Sequence, residues 1–166
     1  MSSKRIAISA PHGLCPHSQV RACDRVAATA AQMLYDRLDN TKLLTADMYR
    51  QDMDLNRDVS LQTPYRVELR RLLQWADYVV DVHSFPPEHS DLECYLLAPA
   101  TPVPNSNRRI YKALVACGVA VGVFQGSDEN SIMEEAARLG KPCTLIEFNE
   151  SLSVARLRTI VSCVNP

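Results

Sequence analysis

Short apolar runs alternate with helix-spaced apolar stripes along nearly the whole chain, and no other feature restricts the possible fold as strongly. Arg5 to Ala10 is a first strand-like run. From Asp24 to Leu38, the residues Val26, Ala30, Met33, Leu34 and Leu38 recur at the spacing of one helix side. Lys42 to Ala46 reads as a second strand, and the polar stretch Tyr49 to Ser60 as a loop. Tyr65, Leu69, Leu72, Leu73 and Ala76 then follow the pattern of an amphipathic helix. Tyr78 to Val82 is the clearest strand, closed off by Pro86-Pro87, where no regular element can continue. Leu92 to Leu97 is a further strand, followed by a turn with Pro99, Pro102 and Pro104 and a helix from Asn107 to Cys117. Val119 to Phe124 and Cys143 to Phe148 complete the strands. Between them a helix opens on a capping box of Ser131 and Glu134 and stops at Gly140 and Pro142. A last stripe, Leu152, Ala155, Ile160 and Val164, predicts a closing helix.

This order predicts an α/β fold in three layers, with a mostly parallel (mixed) sheet carrying helices on both faces. No repeat, linker or low-complexity segment breaks the pattern, so residues 1–166 are expected to form a single domain. A net charge of −1 gives no electrostatic case for nucleic acid or an anionic membrane surface. The first apolar run is too short for a secretory leader, and no stretch approaches the roughly 18 apolar residues of a membrane span. The expectation is a soluble, cytoplasmic protein. Its six cysteines (15, 23, 94, 117, 143 and 163) are then expected to be free thiols packed as small hydrophobes.

Ligands of such sheets bind beyond the carboxyl ends of the strands. Three strand exits here carry metal-binding or proton-moving side chains: Pro11-His12-Gly13, Asp81-Val82-His83-Ser84 and Ile146-Glu147-Phe148-Asn149-Glu150. A loop adds Asp54-Leu55-Asn56-Arg57. Each alone has an ordinary structural explanation, such as a capping histidine or an Asp54–Arg57 loop pair. Their coincidence on one sheet edge favours chemistry. Two imidazoles and a carboxylate make a three-ligand catalytic zinc site, and a further carboxylate can serve as general base. Asp81 leaves its strand on the same face as His83, where it can hydrogen-bond a ligand and fix its tautomer.

Taken together, Asp54-Leu55-Asn56-Arg57, Asp81-Val82-His83-Ser84 and Ile146-Glu147-Phe148 resemble, in order, three motifs of the zinc carboxypeptidase superfamily. The Pro11-His12-Gly13 start and the downstream Asp24 are more similar to its N-formylglutamate amidohydrolase branch. The resemblance runs from about residue 10 to residue 150 and implies a zinc carboxypeptidase-like fold holding one zinc ion per chain. It implies His12 and His83 as zinc ligands, and Glu147 as the base that takes a proton from water at the zinc and passes it to the leaving amine. It also implies Arg57 holding a substrate carboxylate, helped by Asn56 and with Ser84 beside them; a planar five-donor guanidinium suits that task. Carboxypeptidases use a His-x-x-Glu pair, whereas the residue three past His12 is Cys15. Asp24 is the favoured third ligand, with His17, Cys15 and Cys23 competing.

The implied activity is hydrolysis of an amide bond in a small N-acyl amino acid or a short peptide. The alternative is a non-catalytic α/β ligand-binding module. A phosphate cradle is disfavoured, because the turn Pro11 to Pro16 lacks the necessary glycines. A thiol enzyme ranks lower still, because no Cys-x-x-Cys pair occurs.

Overall fold

A computed structural model describes residues 4–16, 23–98, 105–125 and 131–166. Among them the chain order is β1 (Ile6–Ala10), α1 (Ala27–Arg37), β2 (Thr41–Thr45), α2 (Pro64–Trp75), β3 (Tyr78–Phe85), β4 (Cys94–Ala98), α3 (Asn105–Ala116), β5 (Val121–Gln125), α4 (Ser131–Arg138), β6 (Cys143–Asn149) and α5 (Val154–Cys163). The strands form one six-stranded sheet in the order β2-β1-β3-β6-β4-β5. All neighbouring pairs are parallel except β4 with β6, so the sheet is mixed. The α/β reading of the sequence therefore holds. No helix among the described residues is long and apolar enough to cross a membrane.

Strand alternation divides the apolar residues between two cores. Ile6 and Ile8 of β1, Tyr78, Val80 and Val82 of β3, and Ile146 and Phe148 of β6 face one way. They pack against Ala27, Ala30, Ala31 and Leu34 of α1, Ile110 and Leu114 of α3, and Leu157, Ile160 and Val161 of α5. Ala7, Val79, Cys143 and Leu145 face the other way, toward Tyr65, Leu69, Leu72 and Leu73 of α2 and Ile132, Met133 and Ala136 of α4. Each large aliphatic side chain so buried contributes about 1.5–3 kcal/mol. Thr63 caps α2 by accepting the Arg66 N–H, with Pro64 preset in its first turn. Gly140 ends α4 at φ +66, a conformation glycine adopts without strain.

Three features depart from expectation. Strand β3 does not stop at Val82 but runs to Phe85, because β6 continues beside it and pairs His83 with Glu147, Ser84 with Phe148 and Phe85 with Asn149. Asp24 lies before α1 rather than within it. The cysteines are not all free thiols: Cys15 bonds Cys23 and Cys117 bonds Cys163, leaving Cys94 and Cys143 as buried thiols. Of the remaining readings, the proline turn at residues 99–104 and the Ser131 side chain of the capping box lie outside the described residues.

Candidate metal centre

From β1 the chain passes through α1 to β2 on one side, then returns through α2 to β3 on the other. The order of strands thus reverses between β1 and β3, the position at which open α/β sheets bind ligands. On the face toward α2 and α4, side chains change from apolar to polar along each strand. Ala7 gives way to Ser9 in β1, Val79 to Asp81 and His83 in β3, and Cys143 and Leu145 to Glu147 in β6. One face of the sheet therefore delivers four polar side chains, from three strands, to a single carboxyl end.

His12, Asp24 and His83 meet there, one potential ligand atom from each lying within 4.8 Å of the others. All three are buried. His83 Nδ1 is 2.8 Å from Asp24 Oδ2, and His12 Nδ1 is 3.5 Å from the same oxygen. The imidazole rings are 5.0 Å apart and nearly perpendicular. Asp24 is drawn in by the backbone, its N–H donating to the His12 carbonyl at 3.0 Å. The Cys15–Cys23 disulfide ties the same two segments together, which withdraws both sulfurs from metal binding as thiolates. His17 lies outside the described residues.

Each histidine has its other nitrogen occupied by an outer carboxylate. His12 Nε2 is 2.6 Å from Asp54 Oδ1, and His83 Nε2 is 3.2 Å from Asp81 Oδ2. Both rings are thereby turned so that Nδ1 faces Asp24, the arrangement by which carboxylates orient metal-binding histidines. Asp54 is itself fixed by the Asn56 N–H at 2.9 Å. Its loop is anchored underneath by Arg66, which is wholly buried, donates to the Leu55 carbonyl at 3.2 Å and pairs with Glu135.

The charges support this geometry. Burial disfavours the Asp24 carboxylate, but the His12 and His83 imidazoles beside it outweigh burial and hold the group well below the usual carboxylate range. Asp54 is held low in the same way, chiefly by His12 against burial. Burial opposes protonation of His83, yet Asp81 and Asp24 together raise its pKa to about 10. A proton therefore sits between His83 Nδ1 and Asp24. His12 Nδ1 is buried without a hydrogen-bond partner, a costly state for an imidazole nitrogen unless it has something to bind. One orphaned nitrogen, one nitrogen holding a displaceable proton and one ionised carboxylate, all converging, fit a divalent metal. The donor set of two imidazoles and one carboxylate suits zinc.

A cavity of about 220 Å³ opens over these groups, lined also by Arg50, Asn56, Arg57, Ser84, Leu97, Met133, Leu145 and Glu147. Glu147 pairs in register with His83. Burial, reinforced by the Asp24 and Asp81 charges, lifts its pKa above the ordinary value against the opposing pull of His83 and Arg50. Arg57 is partly exposed at the rim, with Nε 3.7 Å from Asp54. Asn56 is more occupied than a simple substrate contact: its Oδ1 accepts the Ile132 N–H at 3.3 Å, and its Nδ2 lies 3.4 Å from His83 Nε2. The Ser84 hydroxyl donates to Glu150 at 2.9 Å. Two residues with clear parts here were not singled out from sequence as site residues. Asp54 entered only as part of a motif. Arg50 bridges Asp24 at 3.4 Å and Asp54 at 3.5 Å from a loop without periodicity, so only its spacing of four from Asp54 hinted at a pairing.

No protein-family model and no curated protein matches this chain. Solved structures do. A gene product of Agrobacterium tumefaciens is similar at 14% identity and a TM-score of 0.69, the match covering 95% of this chain and 85% of that one. An N-formylglutamate amidohydrolase from Ralstonia eutropha is similar at 13% identity and a TM-score of 0.65, over 99% and 92% of the two chains. An N-acetylmuramoyl-L-alanine amidase from Clostridium difficile is similar at 12% identity and a TM-score of 0.63, over 98% and 92%. At these identities the likeness is one of fold: this chain has the α/β architecture found in amidases and amidohydrolases.

Proposed function

We propose that this protein is a zinc-dependent amide hydrolase, acting on a small N-acyl amino acid or a short peptide end. The observation that carries the reading is the convergence of His12 Nδ1, His83 Nδ1 and the Asp24 carboxylate, with each imidazole braced from behind by its own acid. Solved proteins of the same fold that are named as amidohydrolase and amidase support the same class of reaction. His12, Asp24 and His83 would hold one zinc ion, which when bound polarises a carbonyl and acidifies a water molecule.

The chain's own residues supply the remainder. Glu147 is the general base: its carboxylate takes a proton from the attacking water and delivers it to the departing amine nitrogen. The burial that raises its pKa also strengthens it as a base near neutral pH. Arg57 at the rim binds a substrate carboxylate, and Arg50 adds a second positive charge on the same side of the cavity. Together the two arginines select substrates with an acidic end.

The test is a panel of N-formyl, N-acetyl and N-succinyl amino acids with short peptides, assayed on zinc-loaded protein. Turnover is expected to be best on members with a free carboxylate. Arg57→Met should weaken those members by about ten- to a hundredfold in kcat/KM, at unchanged zinc content, since a charge-assisted hydrogen bond contributes roughly 1.5–3 kcal/mol. Equal loss on substrates with and without a carboxylate removes the clamp role. No turnover of any member by fully loaded protein removes the enzyme reading.

A further inference from the structure

We infer that Ser9 is a positioning residue for the metal centre, acting on His83 through Asp81. The inference rests on the reading of His83 as a ligand. Ser9 stands in β1 in register with Asp81 of β3, and both side chains are wholly buried. The Ser9 hydroxyl donates to Asp81 Oδ1 at 2.5 Å, while Asp81 Oδ2 faces His83 Nε2 at 3.2 Å. Asp81 thus has one oxygen on the serine and the other on the histidine. A fully buried carboxylate is tolerated only when its oxygens are satisfied. The hydroxyl of Tyr65, also buried, faces Ser9 beside this pair and makes no normal-length hydrogen bond of its own.

Loss of the Ser9 hydroxyl leaves Asp81 Oδ1 buried without its partner and frees the carboxylate to rotate toward His83. That rotation changes the angle at which the ring is held, and with it how well Nδ1 is presented to a metal. A serine that merely fills the space between two strands has neither effect. Serine at position 9 thus belongs to the centre although it never touches the ion.

The test compares Ser9→Ala and Ser9→Thr with the unaltered protein. Zinc affinity is read by competition with a chromophoric chelator, the visible spectrum is recorded with cobalt in place of zinc, and the His83 ring nitrogens are read by NMR in metal-free protein. Ser9→Ala should lower zinc affinity about tenfold, the lower end for a residue behind a ligand. It should also move both the cobalt bands and the His83 nitrogen shifts, while Ser9→Thr restores all three. A folded Ser9→Ala with unchanged zinc affinity, cobalt spectrum and His83 shifts overturns the inference. Should Ser9→Ala not fold, Ser9→Cys, a weaker donor, takes its place and is held to the same three readouts. If the unaltered protein binds neither metal, the hydrolase reading falls by itself. The Ser9 link is then decided by the His83 shifts alone, and their failure to move overturns it.

Discussion

At the scale of single residues, the proposed centre is a set of charges in which a metal would replace protons. In the metal-free protein His83 holds a proton up to a pKa of about 10, against an ordinary 6.5, because Asp81 and Asp24 outweigh burial. A raised pKa in the folded state means that this proton's stabilising effect is complete below pH 6.5 and disappears as the pH rises through 10. Metal must displace the proton, so zinc affinity should climb about tenfold per pH unit for each proton released across that window. Competition titrations at pH 6.5, 7.5 and 8.5 read this directly, and a flat profile contradicts it. Asp54→Asn should cost about 10–100-fold in zinc affinity, since it loosens the carboxylate behind His12. Glu147 lines the cavity but makes no contact that would hold the ion. Glu147→Gln should therefore retain zinc and lose about 10²–10⁴ in turnover; retained turnover would take Glu147 out of the chemistry. Much of this was legible in the sequence, where a polar residue at the end of an apolar run stands out. His12, His83 and Glu147 all announce themselves that way. Arg50 and Arg66 do not: Arg50 lies in a loop with no pattern, and Arg66 sits on the buried side of α2, where its charge disguises its place in the apolar stripe.

At the scale of elements, periodicity located the strands and helices well because each has one or two apolar faces to bury. It failed at ends that neighbours decide. The apolar run of β3 stops at Val82, but hydrogen bonding to β6 carries the strand three residues further and fixes His83 within it. That is a more rigid mounting than a strand exit. Cysteine count likewise gave no pairing, since six cysteines allow 15 full connectivities and the thiol expectation rested on a reducing compartment. The two disulfides should differ in effect. Cys15 and Cys23 are eight residues apart and Cys117 and Cys163 are 46 apart. Loop-closure entropy then assigns about 2.5 kcal/mol to the first and about 4 kcal/mol to the second. Denaturant unfolding of the two Cys→Ser double variants measures this. Only the first should also lower zinc affinity, because it alone joins the segments that carry His12 and Asp24. A zinc affinity untouched by Cys15→Ser/Cys23→Ser removes the disulfide from the centre.

At the scale of the whole molecule, the fold places a reversal of strand order where three polar strand ends and two loops arrive together. The sheet and its two cores supply rigidity, and the loops supply Asp24, Asp54 and the arginines. The sequence displayed the sheet more clearly than the site. A strand is written in consecutive residues, whereas the site joins positions as far apart as Ser9 and Glu147. Asp24 illustrates the difference: nothing beside it in sequence distinguishes it from a helix-capping acid, and only its 2.8 Å approach to His83 does so. Whether His12, Asp24 and His83 hold one divalent ion is decided by elemental analysis of the protein after saturation with zinc and removal of excess. One zinc per chain is expected, and none in a folded His83→Ala variant. Absence of bound zinc from the unaltered protein, or full retention in the variant, would contradict it.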